Sequence, residues 1–193
     1  MTRAPSAMGL PADPAPTDAG AAHLIALLTA RLMTGHSATA VLEAWCVERG
    51  FAGAPPLRAR SLDGGAKALT PIQRDRLAIG SDEPVRYRRV RLDFGGHVLS
   101  EAENWYVPSR LTPAMNAILD ATETPFGHVV QALAPTRRNL ALRIVRPDDG
   151  TWPGPDTALF AIEAVLSNAQ GVPVCEVAET YLGAVLRGGA PLG

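Results

Sequence analysis

Two charged residues fall where strand periodicity puts apolar ones, and together they have the chemistry of a buried acid-binding site. Alternate residues of a strand share one face. Along Val85 to Phe94 the even positions are Arg86, Arg88, Val90, Leu92 and Phe94, while Tyr87, Arg89, Arg91 and Asp93 read as the solvent face. Arg88 thus shares a face with Val90, Leu92 and Phe94. Along Val174 to Leu182, Glu179 alternates with Cys175, Val177 and Tyr181, and Glu176 lies on the opposite face. A buried charge is costly unless a partner or a ligand satisfies it. A guanidinium so placed can take a ligand carboxylate bidentately, and a desolvated carboxyl is suited to acid–base work. The plainer alternative is that Arg88 pairs with a carboxylate inside the sheet and only sets the register.

The register of the hairpin around Gly95-Gly96 decides what faces Arg88. A two-residue turn pairs Phe94 with His97 and puts Arg88 opposite Glu103, a ready salt bridge. A three-residue turn, with Phe94 opposite Val98, puts Arg88 opposite Asn104 and turns Ser100, Ala102 and Tyr106 to the same face. One residue of slip exchanges the whole face. Periodicity leaves both arrangements open.

Other chemistry is poorly represented. Cys46 and Cys175 are far apart and neither lies in a C-x-x-C, and His23, His36, His97 and His128 form no H-x-x-x-H or H-x-H pair, so no metal site is expected. Asp63-Gly64-Gly65-Ala66-Lys67 lacks the Gly-Lys-Ser/Thr ending of a phosphate loop. There is no G-x-G-x-x-G before a helix and no G-x-S-x-G elbow, so no cofactor is expected. Trp45, Trp105 and Trp152 are too scattered for a base-stacking platform.

The elements that must position Arg88 and Glu179 follow from length and pattern. The chain has 193 residues, 47% hydrophobic and 19% charged, the size of one domain with a packed core. Its 18 basic and 19 acidic residues leave a formal charge of −1, which argues against a nucleic-acid partner or a polybasic membrane binder. Lys67 is the only lysine; the other basic residues are arginines. No stretch reaches the ~18–20 apolar residues of a membrane span, and no secretory layout opens the chain, so a cytoplasmic protein is expected. Residues 1–20, rich in Pro and Ala, read as a disordered leader before a single domain over 21–193. Helices are expected over Ala21 to Met33, from an N-cap at Ser37 to Gly50, from Pro71 to Ile79, and over Leu111 to Ala121. Strands are expected over Val85 to Phe94, Val98 to Val107, Leu140 to Val145, Ala158 to Leu166 and Val174 to Leu182. Helices come first and antiparallel hairpins later, so the class is α+β with a mostly antiparallel sheet.

Several short motifs, in order, resemble the bacterial chorismate lyases. They are Val85-Arg86-Tyr87-Arg88-Arg89-Val90-Arg91-Leu92, Trp105-Tyr106-Val107-Pro108, Thr124-Pro125-Phe126-Gly127, Ser37-Ala38-Thr39 with Leu42-Glu43, and Glu179-Thr180-Tyr181-Leu182. The resemblance runs from about Leu24 to Leu182. It implies an antiparallel sheet of about six strands with helices on one side and helical flaps over an internal site. It further implies a cofactor-free, monomeric lyase that turns chorismate into 4-hydroxybenzoate and pyruvate, as in ubiquinone precursor synthesis. Arg88 would hold the aromatic carboxylate and Glu179 would serve the scissile ether oxygen. Ala38, Asn104 and Phe126 fall on positions that shape the family's ligand site. A second family arginine aligns with Asn104, a flap methionine with Ala38 and a leucine with Phe126, so charge and shape both depart from the pattern. The same fold also resembles effector-sensing domains of transcription regulators, which implies an alternative: a module that binds an aromatic acid without chemistry.

Overall fold

A computed structural model describes residues 17–53, 56–80, 82–146 and 149–188. Most of the leader expected over residues 1–20 lies outside these residues, but Asp18, Ala19 and Gly20 belong to the first helix. The helix starts early because Thr17 caps it, its hydroxyl accepting from Gly20 N, and Asp18 places a negative charge in the first turn.

Helix α1 spans Asp18–Thr34 and α2 spans Ala38–Glu48, with Ser37 as N-cap as its position before the apolar run suggests. The strands are β1 (Arg58–Ser61), β2 (Arg86–Phe94), β3 (His97–Tyr106), β4 (Thr136–Ile144), β5 (Ala158–Ser167) and β6 (Pro173–Leu182). Between them lie α3 (Pro71–Arg76), α4 (Pro113–Ala121) and α5 (Phe126–Val129). All strand pairs are antiparallel, in the order β1-β2-β3-β6-β5-β4, so an α+β fold on a six-stranded sheet is what the chain forms. Strand β1 escaped the periodicity reading because it is four residues long with only Ala59 buried. No helix among the described residues is long and apolar enough to cross a membrane.

One face of the sheet carries the core. Leu24, Leu28 and Leu32 of α1 and Leu42, Trp45 and Cys46 of α2 pack on Val90, Leu92, Phe94, Ile162 and Tyr181. Trp45 is fully buried and its indole N–H donates to Val185 O, satisfying its one polar atom. Both cysteines are free and buried. Burial, and then the charge of Glu43, pushes the Cys46 thiol up to about 12, and burial holds Cys175 well above its ordinary value. Reaction with a thiol reagent near pH 8 is therefore expected to be negligible until the chain unfolds. A fast-reacting thiol in native buffer would contradict this packing.

The hairpin register resolves in an unexpected way. Gly95 and Gly96 make a two-residue turn with φ of 59° and 90°, and Phe94 pairs with His97. That geometry suits a turn needing positive φ at both positions. Yet Arg88 faces Asn104, because a bulge between Leu92/Ser100 and Asp93/Val98 inserts Leu99 as an extra residue. The Glu103 salt bridge to Arg88 is thereby excluded; Glu103 instead accepts from Tyr87 and Lys67. Asp93, expected on the solvent face, is instead buried and caps the turn by accepting from Gly96 N.

Candidate functional site

The site lies between the sheet and a roof of two short segments. Its floor is a set of cross-strand rows on the helix-bearing face. One row reads Val90–Ala102–Glu179–Ile162 and the next Arg88–Asn104–Val177–Ala164. Ala102 and Ala164 occupy positions where larger side chains would fill the space. The roof comes from Ser37, Ala38 and Thr39 at the start of α2 and from Pro125, Phe126 and Gly127 at the start of α5. A Cβ on Gly127 would lie 2.6 Å from Thr39 Oγ1, so these two segments meet at glycine distance. Glu43 ties them further: one oxygen faces His128 Nε2 at 3.2 Å and the other accepts from Leu57 N at 2.8 Å.

Between roof and floor is a cavity of about 40 Å³. Ala38, Asn104, Phe126 and Glu179, four of the residues singled out in the sequence, all line it. Arg88 does not. It follows Val90 and Leu92 along the same face but is only half-buried, and its guanidinium donates to Thr124 O at 3.3 Å and Thr122 O at 3.4 Å. Arg88 therefore buttresses the corner that presents Phe126. Desolvation lowers its pKa without displacing it from the charged range.

The guanidinium inside the cavity belongs to Arg137, which sequence periodicity missed. Arg137 Nη2 donates to Glu179 Oε2 at 2.6 Å, and the two side chains are only 3% and 9% exposed. Its Nε donates to Asn139 Oδ1, and Asn139 in turn donates to Met33 O, anchoring the group to α1. Tyr181 OH completes the set by donating to Glu179 Oε2 at 3.1 Å. Burial alone would lower the Arg137 pKa, but the charges of Glu179 and Tyr181, the Glu179 hydrogen bond and Cys175 together outweigh it, and the guanidinium ends above its ordinary value. Burial, reinforced by the Glu179 charge, holds the Tyr181 phenol well above its usual range. Arg137 lies on the edge strand and crosses β5 to reach β6. The signal that could have found it is the i, i+2 pair Arg137/Asn139, which begins two residues after Pro135. It was obscured because a bulge between Asn139 and Ala141 reverses the alternation.

The cavity wall thus holds one ion pair, one amide (Asn104) and the opening turn of an eleven-residue helix, whose free amides favour negative charge. Such a set can orient a small acid. Among the described residues no cluster of His, Cys, Asp and Glu could hold a metal ion.

No family profile matches the chain. In fold it is similar to PhnF from Mycobacterium smegmatis, with a TM-score of 0.51 at 13% identity over 71% of this chain and 63% of that one. The effector domain of PhnF gives a TM-score of 0.50 at 12% identity, over 66% of this chain and 82% of that domain. The possible transcriptional regulator YydK of Bacillus subtilis gives 0.48 at 16% identity, over 71% of this chain. The chain spans 62% of YydK and 63% of PhnF, less than two thirds of either. At these identities the likeness is one of fold alone. In sequence the chain is 37% identical over 182 residues to the uncharacterized protein y4mC of Sinorhizobium fredii, covering 86% of this chain and 76% of y4mC. By that identity and coverage, the chain belongs to the same protein family as y4mC.

Proposed function

We propose that this domain is a sensor that binds a small organic acid, of the aromatic carboxylate class, in the cavity beneath α2 and α5 and does no chemistry on it. The observation that carries this reading is the buried Arg137–Glu179 pair on the cavity wall. Arg137 uses Nε and Nη2 on protein partners, which leaves Nη1 to meet an incoming carboxylate beside the α2 amides. Asn104 supplies a neutral amide where the lyase resemblance would have a second cation, which suits a monoanion better than a dianion. Phe126 and Leu166 give the ring an apolar wall. The fold likeness to the PhnF effector domain adds support for sensing by analogy.

A cavity of about 40 Å³ holds little more than a few water molecules. Ligand pockets usually need roughly 300 Å³ or more. Binding must therefore lift the roof, and the Thr39–Gly127 contact and the Glu43–His128 bridge are the ties that part. A ligand that closes the roof again would be reported to whatever packs on α2.

Chorismate turnover is the second reading, favoured by the position of Glu179 on the wall. One experiment separates the two: calorimetry with 4-hydroxybenzoate and related aromatic acids, beside chromatography of 4-hydroxybenzoate and pyruvate after incubation with chorismate. Saturable binding without product above background is the expected result. Product formation would replace the sensor by a lyase, and neither binding nor product would remove both readings.

A further inference from the structure

A second, larger cavity lies on the other face of the sheet, beneath the strap formed by Lys67 to Arg76. It measures about 370 Å³, within the usual ligand range of roughly 300–1,000 Å³. Its floor is the row Glu103–Ala178–Glu163, with Trp105 and Glu176 as partners in the adjacent row. Ala178, the small member, leaves the space. The charged lining consists of Glu103, Glu163 and Glu176 against Lys67, Arg76 and Arg143, a formal balance of zero.

Two of these carboxylates differ in how they are satisfied. Glu103 accepts from Tyr87 OH at 2.6 Å and from Lys67 Nζ at 2.9 Å, and that ammonium also lies 5.3 Å from the Trp105 ring centre. The only lysine of the chain thus already fills the ammonium place at this corner. Glu176 is only 4% exposed; Oε1 accepts from Arg76 Nη1 at 3.0 Å, while the buried Oε2 has no hydrogen-bond partner among the described residues. A buried carboxylate oxygen without a donor is costly and calls for an occupant. Among the described residues Arg76 makes one side-chain hydrogen bond, to Glu176, which leaves its other N–H groups for a ligand.

An acceptor and a donor fixed side by side are the complement of adjacent ammonium and carboxylate groups. A cation or an anion alone would unbalance a neutral lining, whereas a zwitterion preserves it. We propose that this cavity binds a free α-amino acid, its ammonium donating to the Glu176 carboxylate, which turns to present Oε2, and its carboxylate accepting from Arg76. Arg143, which donates to Glu163 at 3.2 Å from the edge strand, borders the carboxylate side, and Trp105 walls the side chain. This site is separate from the acid cavity and does not depend on it.

The test is calorimetric titration of the full chain with each of the standard L-α-amino acids. At least one is expected to bind saturably, with one ligand per chain. Its N-acetyl derivative and its carboxamide should each bind at least about tenfold more weakly, the scale of one charged hydrogen bond. Glu176→Gln, which keeps the shape, should weaken it comparably, and Ala178→Leu, which fills the floor, should abolish it while circular dichroism stays native. Absence of saturable heat with every amino acid overturns the proposal. A carboxamide as tight as the free acid would make this a cation site and overturn it too. So would binding indifferent to both substitutions.

Discussion

Replacing Glu179 by alanine is expected to destabilise the folded chain by about 3–5 kcal/mol, the usual cost of leaving one member of a buried ion pair uncompensated. The uncompensated member is Arg137, whose side chain is 3% exposed and whose remaining side-chain partner is the neutral Asn139. Arg137→Met should cost a similar amount, because Glu179 would keep only the Tyr181 hydroxyl. The double variant Arg137→Met/Glu179→Ala is expected to lose far less stability than the sum of the two single losses, since neither charge of the pair is then left in the cavity. Urea denaturation of the four proteins measures this directly. Strict additivity would show that the two side chains are not coupled. The exposed pair Arg86–Asp120, at 50% and 54% exposure, is the comparison: its removal should cost far less than either buried loss, because solvent screens it. A further consequence separates this pair from a merely structural one. In Glu179→Ala the freed guanidinium should welcome an organic anion, so 4-hydroxybenzoate should raise the melting temperature of this variant more than that of the parent.

The pair was half visible in the sequence, and the reason is local. Glu179 stands in a strand whose alternation is regular from Cys175 to Tyr181, so parity alone set it among apolar neighbours. Arg137 stands in an edge strand with a bulge two residues on, where alternation fails and the readable strand begins only at Leu140. Arg88 shows the opposite case. Parity placed it on the correct face, but a strand face is longer than the cavity, and Arg88 lies one step beyond the wall, on the carbonyls of Thr122 and Thr124. The hairpin posed a choice between two turns, and neither was right alone. A two-residue turn and the register of a three-residue turn coexist because Leu99 bulges, and nothing in the run His97-Val98-Leu99-Ser100 announces it. The order of helices and hairpins was legible because caps such as Ser37 and Thr112 and turns such as Asn168 to Gly171 are coded by adjacent residues. The Arg76–Glu176 cavity was not legible, because it depends on where a strap with little core of its own comes to rest.

Asn104→Arg is expected to make stability depend on an anion. Asn104 is 3% exposed, faces Arg88 across the hairpin and lines the cavity. An arginine there restores the second cation of the lyase pattern, but among the described residues Glu179 is the only carboxylate on that wall and Arg137 already holds it. Glu179 could then serve two guanidiniums only in part, leaving about one net positive charge in a space with room for only a few water molecules. Without ligand the variant should lose about 2–4 kcal/mol, somewhat less than a wholly uncompensated buried charge because Glu179 screens it. With a saturating aromatic carboxylate most of that loss should return, because the ligand binds the native state alone and neutralises the surplus. The same charge should move ligand preference from monoanions toward dianions. Thermal denaturation with and without 4-hydroxybenzoate and an aromatic dicarboxylate reads both effects in one series. An Asn104→Arg protein as stable as the parent without any anion would mean that the new guanidinium escapes to solvent, and that the roof of α2 and α5 is open in the resting state.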